Sequence, residues 1–169
     1  MSNAQALQCV RVRLTINLHP SRGTDALEGV RDQLSALLLR WNEGLQGVPL
    51  TFSEERIINS MAAIHSYFPF IQLEASASML VFRPRLDMQL CGTVIRVGAD
   101  YLGLHILGIF NAAIGREQIR DDLRYRPQED KWQSRTESIH SISEGAQILF
   151  TVTGMQTDGG ISSCSSTCS

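Results

Sequence analysis

Residues Met79 to Ile114 read MLVFRPRLDMQLCGTVIRVGADYLGLHILGIFNAAI, and this stretch decides the fold. Val81-Phe82 closes an apolar run, Arg83-Pro84 breaks it, and Cys91 to Val97 opens a new extended segment. Gly98-Ala99-Asp100 then turns that segment directly into Tyr101 to Leu107, and Gly108 separates this run from Ile109 to Ile114. Three short strands joined by tight turns form a meander. The break before them marks the end of one folding unit and the start of another.

A meander entered in this way is how an OB barrel begins, and the rest of the chain supports that division. Upstream, Cys9 to Leu18 alternates strictly: Val10, Val12, Leu14, Ile16 and Leu18 share one parity, and Arg11, Arg13, Thr15 and Asn17 the other. That is a strand with one wet face. His19-Pro20 ends it, and Thr24-Asp25 supplies a helix cap ahead of Glu28. Leu27, Val30, Leu34, Leu37, Leu38 and Trp41 recur at spacings of three and four, which predicts a helix running to about Asn42–Gly44 and lying on the sheet.

Extended segments follow at Gly47 to Phe52, Met61 to Tyr67 and Phe70 to Phe82. In the last, Leu73, Ala75, Ala77, Met79 and Val81 share a parity. One crossover helix is too few for a doubly wound sheet, so residues 1–83 are expected to form a small α+β domain. Residues 84–157 are expected to form the barrel, with strands at 89–97, 101–107 and 109–114, a charged stretch from Arg116 to Gln133 holding one helical turn, and a strand at Ile148 to Thr153. A five-stranded barrel needs one more strand. Only Gly160 to Cys168 remains for it, a weak stretch whose serines bury little, so either the last strand is poorly formed or the domain's natural ending is replaced or cut short; residues 158–169 are set apart as a Ser/Cys-rich tail.

The chain has 169 residues, a hydrophobic share of 43% and a net charge of −2, the make-up of an ordinary globular protein of one or two small domains. No apolar run approaches the ~18 residues of a membrane span, and no basic-then-apolar leader opens the chain, so a soluble intracellular protein is expected. Seven Arg face seven acidic residues in 1–83, and eight basic face nine acidic residues in 84–157. Bulk charge therefore does not favour strong autonomous binding of nucleic acid.

Catalytic chemistry finds no support in the residues. His19, His65, His105 and His140 lie on four separate segments, outside any metal-ligand spacing. Cys164 and Cys168 form a CxxxC without a second pair, and Cys9 and Cys91 fall in strand-like segments. Gly103 and Gly108 lack the Lys-Ser/Thr of a phosphate loop and read as bends inside strands. Glu54-Glu55 and Asp121-Asp122 sit among arginines, as solvated faces do. No active site, cofactor or metal is expected.

Binding is the better expectation. If the barrel takes RNA, its second and third strands offer Tyr101, His105 and Phe110 for stacking, with Lys131 nearby in charge, although Phe110 lies in an apolar run that suits a core equally. Phe68-Pro69-Phe70 suggests a docking edge for a partner or a loop folded back on the helix. Trp132 either covers the barrel mouth or is buried by a partner.

This layout resembles the stalk subunit of eukaryotic RNA polymerase I, a relative of the seventh subunit of polymerase II and of the larger archaeal stalk subunit. The likeness rests on LHP at Leu18 to Pro20, NEGLQGVPLTF from Asn42 to Phe52, YFPFI at Tyr67 to Ile71, LVFRPRLDMQLCGTV from Leu80 to Val94 and GIFNAAI from Gly108 to Ile114. The resemblance implies a ribonucleoprotein-like tip domain that docks on the polymerase core through loops holding His19, Pro20, Val48 and Pro49, followed by an OB domain. It implies a non-catalytic role in ribosomal RNA synthesis in the nucleus and nucleolus. The implied partners are the core subunits, a smaller stalk subunit, an initiation factor and single-stranded RNA. A free-standing RNA-binding OB protein, or the equivalent subunit of another polymerase, is the alternative.

Overall fold

A computed structural model describes residues 3–22, 25–58, 63–64, 70–135, 141–158 and 161–168. The chain separates into two compact units, Leu7–Arg83 and a second made of Met1–Ala6 with Pro84–Ser169. The first few residues thus pack with the second unit. Asn3 shows how: its side-chain amide donates to the Cys91 carbonyl (2.9 Å) and its Oδ1 accepts from the Cys91 N–H (2.8 Å), pairing both polar groups of one backbone residue.

In the first unit, strand β1 (Leu7–Leu18) is followed by helix α1 (Ala26–Leu37), β2 (Val48–Ile57), the two-residue β3 (Ala63–Ile64) and β4 (Ile71–Phe82). Strand β4 is central, antiparallel to β1 along its whole length and to β2 and β3 on its other edge. The β1–β4 register sets Val12 opposite Ala77, Leu14 opposite Ala75 and Ile16 opposite Leu73, so the two apolar parities coincide on one face. Helix α1 covers that face through Val30 and Leu34, both fully buried, each gaining about 1.5–3 kcal/mol from leaving water. The approach is close. A Cβ on Gly29 would lie 2.8 Å from Leu18 Cδ2, so a larger residue there would make the Leu18 side chain shift.

The helix begins as expected, with Asp25 Oδ1 accepting the Glu28 N–H at 3.3 Å, but it ends at Leu37 and not near Gly44. Leu38 is extended, Leu39 has φ of 58°, and the Leu39 N–H donates to the Pro49 carbonyl at 2.9 Å. That bond to β2 replaces the next helical one, so Leu38 and Trp41 leave the stripe that their spacing suggested. The expected strand from Met61 to Tyr67 is described only at β3; the rest of it lies outside the described residues.

In the second unit, β5 (Gln89–Val97), β6 (Tyr101–Ile106) and β7 (Phe110–Gly115) form the meander. Its second hairpin turns on Leu107-Gly108, with φ of 53° and 72° and the Ile109 N–H donating to the Ile106 carbonyl. Two successive positive φ values make a type I′ turn, so Gly108 belongs to the turn and not to a strand. After β7 come a 3-10 turn at Arg116–Gln118 and three short strands, β8 (Leu123–Arg126), β9 (Lys131–Ser134) and β10 (Ser141–Ile142), in a sheet of their own. The stretch expected to be polar with a helical turn is thus mainly a hairpin. Tyr125 and Trp132 pair across it, and the period-two run Leu-Arg-Tyr-Arg carried that signal.

Strands β11 (Gln147–Asp158) and β12 (Ile161–Cys168) complete a closed barrel in the order β5-β6-β7-β12-β11. Counted along the barrel alone, the order is first, second, third, fifth, fourth, with the fifth strand parallel to the third, which is the five-stranded Greek-key arrangement of an OB domain. Leu90, Val94, Leu102, Leu104, Ile106, Ile114, Phe150 and Val152 fill it. The Ser/Cys-rich segment set apart in the sequence as a tail is therefore the closing strand. A strand is held by its backbone ladder, which asks nothing apolar of its side chains.

Candidate interaction surfaces

Strand alternation sorts the residues singled out for RNA. On β6, Leu102, Leu104 and Ile106 point into the barrel, and Tyr101, Gly103 and His105 point out. On β7, Phe110, Ala112 and Ile114 point in and Asn111 and Ala113 point out. Phe110 is buried and belongs to the core, so it offers no ring for stacking. Tyr101 is 39% exposed, and the Arg96 guanidinium sits 5.8 Å from its ring centroid. His105 is half-buried and pairs with Asn111 across the ladder. The outer face therefore carries Tyr101, Arg96, His105 and Asn111.

Trp132 is only 4% exposed. Its indole N–H donates to the Gly98 carbonyl at 3.0 Å, and its ring lies 5.9 Å from that of Tyr125. It fastens the β8–β9 hairpin to the β5–β6 turn, which leaves it no surface for a partner. Lys131, one pair nearer the hairpin tip, is ion-paired with Glu129 and is not part of the β6 face. That pair and a bond from Lys131 hold the Glu129 carboxyl below its ordinary range, and the Asp130 carboxylate, accepting from Tyr125 Oη at 2.7 Å, pushes the Tyr125 phenol up.

In the first unit, His19 and Pro20 are exposed at the end of β1, with His19 Nδ1 lying 2.8 Å from Ser21 Oγ and accepting the Ser21 N–H. Val48 and Pro49 are not loop residues. They open β2 opposite Phe82 and Val81, with Val48 fully buried, so their side chains have no surface to offer a docking partner. Phe70, just before β4, is 39% exposed; Phe68 lies outside the described residues. On the sheet face away from α1, Arg11 on β1 and Ser78 on β4 both reach Glu54 of β2. At the neighbouring bulge, Arg31 of α1 meets Glu55 at 2.6 Å; a backbone N–H and then Arg31 hold that carboxyl below its ordinary range.

A groove of about 520 Å³ beside the β8–β9 hairpin went unread in the sequence. Arg116, Arg120, Arg124 and Arg135 line it, with Tyr125 and Trp132. Each Arg stands alone in the sequence, and only folding brings them together. Among the described residues no group of His, Cys, Asp and Glu is placed to hold a metal ion, and no helix is long and apolar enough to cross a membrane.

Residues 84–163 match the family described as the RPA43 OB domain in RNA Pol I. Over 146 residues, 86% of this chain, it is 31% identical to the DNA-directed RNA polymerase I subunit RPA43 of Mus musculus, and it spans 41% of that relative's length. Over 155 residues it is 26% identical to the corresponding subunit of Schizosaccharomyces pombe, covering 89% of this chain and 88% of the relative. Among solved structures, the apo form of Mycoplasma genitalium RNase R is similar over 48% of this chain, with a TM-score of 0.39 and 10% identity, a likeness too slight to carry an argument.

Proposed function

We infer that this relative of the RPA43 subunits of RNA polymerase I is itself a non-catalytic stalk subunit of that enzyme. The observation that carries the reading is the overlap of the family match, residues 84–163, with a five-stranded barrel whose strands run from Gln89 to Cys168. Alignment with the mouse and fission-yeast relatives reaches back into the first unit, which supports reading Leu7–Arg83 as the tip domain.

On this reading the protein serves ribosomal RNA synthesis in the nucleolus of the nucleus. Exposed His19 and Pro20 meet the polymerase core, and Phe70 is offered to the smaller stalk partner or to an initiation factor. The outer β6–β7 face, with Tyr101 and His105 free to stack on bases, is the contact for single-stranded RNA. Affinity purification of the tagged chain followed by identification of its companions tests the assignment. Recovery of the polymerase I large subunits is expected; a chain that purifies alone, or with polymerase II or III, overturns it.

A further inference from the structure

We propose that the arginine groove of the barrel unit is a second binding site, for the phosphodiester backbone of single-stranded nucleic acid, separate from the outer face of β6 and β7. The argument begins with pairing. Three acids around the hairpin are engaged within the unit: Glu129 with Lys131, Asp130 with the Tyr125 hydroxyl, and Asp122 with Arg120 at 3.1 Å. Asp121 is the one carboxylate in the groove wall without such a partner. Against it, Arg116, Arg124 and Arg135 line the same groove and make no ion pair or side-chain hydrogen bond with the described residues. One carboxylate, Asp121, thus stands in the groove wall against three guanidinium groups without a partner.

The row of cations also continues past the groove. A second hollow of about 330 Å³ shares Arg124, Tyr125 and Arg135 with the first and adds Arg126, two residues from Arg124 on β8, and Glu129, whose charge Lys131 and Arg126 meet. Side chains at i and i+2 of a strand project on one side about 6.6 Å apart, so they meet successive charges of an extended polyanion and not a single ion. Guanidinium forks match phosphate oxygens bidentately. Tyr125, half-buried with its hydroxyl fixed to Asp130, sets an aromatic ring among them, as sites for single strands do. Balanced total charge hides this site, because most of the balancing acids, Asp87, Asp100 and Glu144 among them, lie outside the groove wall.

The test is fluorescence anisotropy of the full chain with a labelled oligouridylate across a salt series. Each phosphate neutralised on a single strand contributes about −0.7 to the slope of log affinity against log salt. The double variant Arg124→Gln/Arg135→Gln should therefore flatten the slope by about 1.4 and weaken binding about 25-fold at ~0.1 M salt. Arg124→Lys/Arg135→Lys should keep most of the slope, and all variants should melt like the parent because the four groove arginines are exposed. Unchanged affinity and slope in the Gln double variant overturn the proposal. So does loss of binding confined to Tyr101→Ala, which would put the RNA on the β6 face and leave the polymerase assignment intact. Equal, arginine-dependent binding of polyglutamate would make the ligand an acidic protein, and would also overturn it.

Discussion

Trp132 separates a fastener from a docking residue, and the two roles predict opposite results in the isolated chain. The side chain is 4% exposed, donates at 3.0 Å to the Gly98 carbonyl and packs beside Tyr125. Trp132→Phe removes the donor and part of the ring. The lost hydrogen bond costs about 1 kcal/mol and the unfilled volume a similar amount, roughly 2 kcal/mol together. Trp132→Ala should cost about 3–5 kcal/mol. For a barrel unit of this size, 2 kcal/mol lowers the melting temperature by on the order of 10 °C. Circular dichroism melts of the unbound chain read this directly, and the environment of Trp132 can be followed by its fluorescence in a Trp41→Phe background. If Trp132→Phe melts like the parent when alone but fails to bind a partner, the indole is a docking group and the buried geometry described above is wrong.

Three further outcomes follow from the local geometry. Leu107 is held at φ of 53° in the β6–β7 turn, a conformation that costs an L-residue about 1–2 kcal/mol, so Leu107→Asn should raise stability by about 0.5–1 kcal/mol; a lower urea midpoint counts against the type I′ assignment. Asp25→Ala removes the acceptor for the Glu28 N–H and should cost about 0.5–1 kcal/mol, the lower part of the capping range because the bond is 3.3 Å long, measured as a drop in the same midpoint. Glu55 is held below its ordinary value by a backbone N–H and Arg31, so their contribution is present at neutral pH and is lost as pH falls through the depressed folded-state value, below about 4.5. Arg31→Gln should thus cost under about 1 kcal/mol at pH 7, since Arg31 is largely exposed, and the gap to the parent should close in acid; a gap that persists there refutes the ion pair.

Features that depend on one strand were legible in the sequence, and features that depend on two were not. Strict alternation from Val10 to Leu18 and from Leu73 to Val81 is a property of single segments, and both parities proved to be the buried faces. The end of α1 is different. Leu38 and Trp41 keep a helical spacing, and only the Leu39 N–H bond to Pro49, a residue ten positions on, stops the helix. Gly47 to Phe52 reads as extended in the sequence, and only the resemblance set Val48 and Pro49 in a loop; the ladder to Phe82 and Val81 makes them strand.

The same distinction explains why the surfaces were harder to read than the fold. Phe110 and Tyr101 are both aromatic residues in apolar runs; alternation with Leu102, Leu104 and Ile106 turns Tyr101 outward, and the pairing of Phe110 with Ile106 turns Phe110 inward. Arg116, Arg120, Arg124 and Arg135 are spread over twenty residues of near-balanced charge, so composition averages them away. The hairpin reverses the chain between Arg124 and Arg135, and the 3-10 turn brings Arg116 and Arg120 to the same groove. Charge becomes a site only when folding sorts which carboxylates are consumed. The closing strand follows the same logic: Ile161–Cys168 looked too polar to belong to a barrel, but its place is set by the unpaired edges of β7 and β11, whose N–H and C=O groups need partners whatever side chains those partners carry.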